Sequence, residues 1–208
     1  MDLGLSAVCA AAFGYLLGSI PFAVIVSRAF GLADPRTVGS GNPGATNVLR
    51  SGNKLAAVLT LVGDAAKGAL AMYIVSLFAA SAWLTVTPLV IVIAGVAGFL
   101  GHVFPFTLGF KGGKGVATAI GVLLMFSPVL GAAAIAVWIV TVALTRYSSL
   151  GALVAALASP IFAWWLLHDV AMVIATGMMA VVLIVRHKAN ITNLLAGTEG
   201  RIGAKKIS

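Results

Sequence analysis

Cysteine is nearly absent from these 208 residues: Cys9 stands alone, so an intrachain disulfide is excluded and no thiolate cage for a metal can form. Acids are almost as scarce. The five are Asp2, Asp34, Asp64, Asp169 and Glu199, and neither they nor His102, His168 and His187 fall at metal-ligand spacing, so no metal is expected. Charge of either sign makes up only 9% of the chain, against 61% hydrophobic residues and a mean hydropathy of +1.12, which excludes a soluble domain. A net charge of +8 would suggest nucleic acid in a soluble protein, but here the placement of the charges matters more than their sum, and no nucleic-acid partner or cofactor is expected.

What is abundant is apolar sequence in runs of membrane-spanning length. An all-α, polytopic integral membrane protein follows, one domain over 1–208, with no room for a separate soluble domain. Spans are predicted at about 5–27, 55–80, 87–106, 115–127, 129–145, 149–167 and 170–185, which makes seven transmembrane helices joined by short loops. The first has no basic leader and is as long as a span, so it is expected to be a retained helix. With the N-terminus outside, twelve of the thirteen Lys and Arg residues, from Arg28 to Lys206, fall on the cytoplasmic side, and the thirteenth, Lys67, lies within a span. The stretch 115–144 could instead be one long helix, giving six spans and an external tail. A break at Ser127 and Pro128 keeps the basic tail inside, with Pro128 starting the second helix, although 115–127 is short for a crossing and a re-entrant piece stays open. Trp83, Trp164 and Trp165 near outer ends and Tyr147 near an inner end suit interfacial belts, and Gly14 with Gly18 suits close helix packing.

Three polar islands interrupt the apolar chain and share the cytoplasmic face under the seven-span reading: Gly39 to Arg50 (GSGNPGATNVLR), Gly109 to Thr118 (GFKGGKGVAT) and Arg186 to Glu199 (RHKANITNLLAGTE). The first has too much Gly, Pro and Asn for a regular helix and is expected to be a loop whose exposed amides wrap a phosphate. Ser40, Thr46 and Asn47 would add neutral donors and Arg50 a planar fork for two phosphate oxygens; the alternative is an ordinary basic connector. In the second, the Gly112, Gly113 and Gly115 amides and the following helix N-terminus could cradle an anion beside Lys114, or the segment is a flexible turn with topology lysines. It is no Walker loop, since Leu108 stands where the first Gly belongs and Gly115 where Ser or Thr should bind magnesium. The third, with His187, Lys188 and Asn190, is the weakest taken alone, because helix-end basic residues commonly anchor to headgroups.

Elsewhere, Asp64 and Lys67 share one face of the second span and are expected to neutralise each other, with an ion pathway as the lesser reading. His102 either lines the site or satisfies a buried hydrogen bond. His168 with Asp169 reads as an outer turn rather than a dyad.

These three islands, in order, spacing and near-complete identity, resemble the signature motifs of the bacterial acyl-phosphate glycerol-3-phosphate acyltransferases, the PlsY family, over essentially the whole chain. The resemblance implies seven spans with the N-terminus outside and transfer of a fatty acyl group from acyl phosphate to the 1-hydroxyl of glycerol 3-phosphate. Lysophosphatidic acid and phosphate would form at the cytoplasmic face of the bacterial inner membrane, among membrane lipids, as the first acylation of phospholipid biosynthesis. Two anionic substrates need countercharge, and acyl phosphate is already activated, so alignment and oxyanion stabilisation are the main tasks. Ser40, Arg50, Lys114, His187 and Asn190 are expected to carry catalysis. Gly41, Asn42, Thr46, Asn47, Gly112, Gly113, Gly115, Thr118 and Glu199 are expected to contact substrate. No Ser-His-acid triad is evident, so no acyl-enzyme is expected. The hydroxyl proton goes to His187 or, preferably, to a phosphate oxygen of the substrate. Oligomeric state is not legible. The rivals are an anion transporter, disfavoured by islands on one face, and an alcohol phosphatidyltransferase, disfavoured by dispersed aspartates.

Overall fold

Caps and breakers set the helix boundaries. In the computed structural model, which describes residues 2–80 and 84–203, there are ten α-helices and no strand among the described residues. They are α1 (Leu3–Gly18), α2 (Phe22–Ala29), α3 (Ala45–Leu49), α4 (Lys54–Leu77), α5 (Pro88–Val103), α6 (Val116–Phe126), α7 (Pro128–Thr145), α8 (Ser148–Leu167), α9 (Val170–Arg186) and α10 (Lys188–Leu195). Asp2, Asn53 and Asp169 each accept an amide of the first turn of α1, α4 and α9, at 2.8, 2.9 and 3.0 Å. Pro21 cannot continue a helix, and α1 stops before it. Trp83, Lys205 and Lys206, to which the sequence assigned an outer belt and an inner tail, lie outside the described residues.

The chain divides into two compact units, Met1–Met125 and Phe126–Ser208. In the first, α5 packs against α1 and α4. A Cβ on Gly14 or Gly18 would collide with the backbone of Ala94 or Gly98, so these glycines let α1 and α5 approach at backbone distance, as expected of their spacing. α6 lies on α4 in the same way, with Gly121 against the Ala65 backbone and Gly68 against Thr118. In the second unit, α8 packs on both α7 and α9.

Five segments are long and apolar enough to cross a membrane: 3–29, 54–77, 88–108, 128–145 and 148–167. α9 and α10, bent by 61° at His187, make a sixth if taken together. The predicted break at Ser127 and Pro128 is present, with Ser127 accepting the Leu130 amide at 3.4 Å and Pro128 opening α7. The predicted span 115–127 is realised as α6, only 11 residues long, which rises about 16 Å against a hydrocarbon core of about 30 Å. Only 17% of the apolar window of α7 is buried, so the rest of its surface requires lipid or another apolar neighbour.

Candidate functional site

The first island departs from expectation in two ways. Residues 39–44 form the loop, but Ala45–Leu49 is a short helix, because Gly44 in extended conformation ends the loop and the residues after it have no breaker. The loop amides are also not left open. Asn47, 2% exposed, donates through Nδ2 to the carbonyls of Pro35 (2.6 Å) and Val38 (3.0 Å), and its Oδ1 accepts the Ser40 amide at 3.1 Å. The Gly41 and Gly44 amides go to Val38 and Asn42 carbonyls. Asn47 is thus the fastener of the loop, and what the loop turns outward is the exposed Ser40, Thr46 and Arg50, with Asn42 half-buried. Arg50 Nη1 lies 3.5 Å from Asn47 Oδ1, the outer limit of a hydrogen bond. Upstream, Arg36 grips Asp34 at 2.6 Å, and this guanidinium holds the Asp34 carboxyl below the usual carboxylate range.

The second island is folded back on the end of α5. The Gly112 and Gly113 amides donate to the carbonyls of Val103 and His102, both at 3.2 Å, satisfying the last groups that α5 leaves without helical partners. These two amides, expected on a phosphate, are therefore committed to anchoring. Beyond them come half-buried Lys114 and the first turn of α6. A Cβ on Gly113 would overlap the His102 ring, and Gly115 has φ +90 with the Phe99 ring behind it, so both positions require glycine.

Under this loop sit three ionisable side chains. Asp64 Oδ1 is 2.9 Å from Lys67 Nζ and 3.3 Å from His102 Nδ1, and the Asp64 and Lys67 side chains are each only 3% exposed. Lys67 also donates to the Ile20 carbonyl at 2.9 Å and lies 5.9 Å from the centre of the Phe22 ring. The pairing of Asp64 with Lys67 was expected; that of His102 with Asp64 had no sequence signal. A small cavity is lined by Asp64, Lys67, His102, Gly112, Gly113 and, from the first island, Pro43, so two of the three islands meet around one space. Thr118, buried, donates to the Asp64 carbonyl at 2.8 Å rather than facing that space.

The third island belongs to the second unit. His187, 3% exposed, forms the corner between α9 and α10, and its Nδ1 lies 2.8 Å from the Leu183 carbonyl. A carbonyl can only accept, so Nδ1 carries the hydrogen. Glu199 Oε1 accepts from Asn190 Nδ2 at 2.7 Å and from Ser149 Oγ at 2.6 Å. Ser149 was not anticipated. The tail continues along the α7–α8 turn, where Ile202 exchanges backbone and side-chain hydrogen bonds with Arg146, and Arg201 donates to the Tyr147 hydroxyl at 3.0 Å. At the other end of α8, His168 turns with φ 51 and Asp169 caps α9, as expected of a turn. Among the described residues, no three His, Cys, Asp or Glu side chains are grouped to hold a metal.

Comparison with known proteins points in one direction. A family model described as glycerol-3-phosphate acyltransferase matches residues 8–197. The glycerol-3-phosphate acyltransferase of Laribacter hongkongensis is 54% identical over 98% of this chain and 100% of its own, and that of Methylobacillus flagellatus is 56% identical over 92% and 94%. Two crystal structures of PlsY (YgiH), an integral membrane glycerol 3-phosphate acyltransferase, superpose with TM-scores of 0.85 and 0.83 at 37% and 36% identity, each covering 95% of this chain and 96% of that one. The first is a glycerol 3-phosphate form and the second a lysophosphatidic acid form.

Proposed function

Because this chain belongs to the glycerol-3-phosphate acyltransferase family, of the PlsY type, we propose that it transfers a fatty acyl group from acyl phosphate to the 1-hydroxyl of glycerol 3-phosphate. The hydroxyl oxygen attacks the acyl carbonyl carbon, the carbon–oxygen bond to phosphate breaks, and lysophosphatidic acid and phosphate leave. An acyl phosphate is already an activated mixed anhydride, so positioning and charge stabilisation suffice and no covalent enzyme intermediate is needed. The hydroxyl proton passes to a phosphate oxygen of the substrate, which becomes more basic as the reaction proceeds.

What supports this reading is the family match over residues 8–197 and the likeness to a glycerol 3-phosphate form; within the fold, the first two islands approach each other at a small cavity that Pro43, Gly112 and Gly113 help to line. Lys114, Gly115 and the first turn of α6 take the phosphate of the donor. Ser40, Thr46 and Arg50 take glycerol 3-phosphate with Asn42 and the Gly41 backbone, while Asn47 holds their loop in shape. His187 and Asn190 are assigned a part in catalysis on the strength of the third motif alone. A carboxylate repels phosphate, so Glu199 acts by orienting Asn190 rather than by touching substrate. The chain works as one domain of seven crossings, with α6 as the shortest, the N-terminus outside, and the motif loops on the cytoplasmic face of the bacterial inner membrane.

The deciding experiment is phosphate release by the purified, detergent-solubilised protein given palmitoyl phosphate and glycerol 3-phosphate, repeated with palmitoyl-CoA. Release of phosphate with lysophosphatidic acid from acyl phosphate alone is expected. Equal product from palmitoyl-CoA, or none from either donor in folded protein, would overturn the assignment.

A further inference from the structure

We propose that Asp64, Lys67 and His102 are positioning residues for donor binding: they pin both ends of the Gly112–Gly115 loop to one point on α4. The inference rests on reading that loop as the site of the donor's phosphate.

On the near side of the loop, the His102 carbonyl accepts the Gly113 amide at 3.2 Å, and the His102 ring lies so close to Gly113 that a Cβ there would meet Nε2. The ring is held from behind by Asp64 Oδ1, 3.3 Å from Nδ1. On the far side, Thr118 in the first turn of α6 donates its hydroxyl to the Asp64 main-chain carbonyl at 2.8 Å. One residue therefore grips the loop before and after, through its side chain and its backbone. Lys67 completes the arrangement, 2.9 Å from the Asp64 carboxylate and 2.9 Å from the Ile20 carbonyl at the break between α1 and α2.

Stability alone is a weak explanation for this cluster. A buried ion pair in an apolar span is costly to desolvate, and apolar side chains of similar volume often serve as well or better. What apolar side chains cannot do is orient an imidazole ring and hold a carbonyl. Fixing register is the best supported use of such pairs, and here the element in register is a loop whose first two amides are already spent on α5. A shift of about 1 Å in such a loop is enough to cost on the order of tenfold or more in binding or rate.

The test is steady-state kinetics of the full-length enzyme with acyl phosphate and glycerol 3-phosphate varied separately. The double variant Asp64→Leu/Lys67→Met removes both charges together, leaves none unpaired and keeps the Asp64 main-chain carbonyl. It is expected to fold with an unchanged or higher Tm, to raise KM for acyl phosphate about tenfold and to leave KM for glycerol 3-phosphate within about twofold. His102→Phe should reproduce the donor-specific defect. His102→Asn, which keeps an N–H near the Nδ1 position, should recover part of it. If the double variant fails to fold, the Phe and Asn pair decides alone, since it leaves Asp64 and Lys67 in place. Lys114→Ala separates the two claims: an unchanged donor KM there means the loop is not the donor site. A raised donor KM for Lys114→Ala with none for the other variants, or equal losses for both substrates, refutes the positioning role.

Discussion

Replacing Asn47 by Asp changes one nitrogen to oxygen and almost no volume, yet it should disable the first island. The Asn47 Nδ2 serves two backbone carbonyls, of Pro35 at 2.6 Å and of Val38 at 3.0 Å, from a side chain 2% exposed. A carboxylate there donates nothing, so both carbonyls lose a partner and face an anion. The Pro35 carbonyl is then left without its partner in a buried site, at about 1–3 kcal/mol, while the Val38 carbonyl keeps the Gly41 amide, so the cost against the closed loop is about 2 kcal/mol before any repulsion is added. The new charge would also draw Arg50, whose Nη1 already lies 3.5 Å from Oδ1, inward onto the loop. Loops open locally at a fraction of global stability, so the cost falls on the population of the ordered loop. At 1.4 kcal/mol per tenfold, about 2 kcal/mol corresponds to about thirtyfold. The expected result is a fall in kcat/KM for glycerol 3-phosphate of at least about tenfold, with Tm little changed and KM for the acyl donor altered less than about threefold. A folded Asn47→Asp enzyme with kcat/KM for glycerol 3-phosphate within about threefold of wild type would show that the carboxamide does not shape the loop.

Glu199→Ala should leave Asn190 and Ser149 without their shared acceptor, lowering stability by about 1–3 kcal/mol and activity with it; Glu199→Gln, still able to accept from both, should keep most of each. Thermal unfolding beside turnover checks this, and an alanine variant equal to wild type refutes the brace. The Asp34 carboxyl lies below its unfolded value near 3.9, chiefly through the Arg36 hydrogen bond, so its contribution is present above about pH 4 and lost as pH falls through the lower folded value. Asp34→Asn should therefore speed proteolysis of the 34–41 segment at pH 7 and make no difference in acid below that window. Seven crossings predict that, in a Cys9→Ala background, an impermeant maleimide labels Asp2→Cys in intact cells but Thr198→Cys only after permeabilisation. Labelling of both from the same side would reduce the count to an even number.

Helix boundaries were the legible part, because the interactions that set them act within a few residues. Asp2, Asn53, Asp169 and the Ser127–Pro128 pair announce their helices, and each caps or opens one within a residue or two of where the sequence placed it. The motif islands were legible as places for the same local reason: Gly, Pro and Asn interrupt an apolar chain, and two of the islands do line one cavity. What composition could not reveal is how each donor is used. A glycine-rich stretch advertises open amides, but a loop on a helix end meets carbonyls that have lost their helical partners. Gly112 and Gly113 go to those carbonyls, so their amides anchor the loop to α5. Nor could the partners of isolated polar residues be read. Thr118 finds Asp64 across 54 positions and Ser149 finds Glu199 across 50, distances over which no propensity or spacing rule operates and packing alone selects. The scarcity of charge is itself the remaining signal. In a chain with five acids, a carboxylate inside a span must have a partner within reach, so Asp64 required Lys67 from the sequence alone. Its second oxygen-seeking neighbour, His102, became visible only when α4 and α5 were packed side by side.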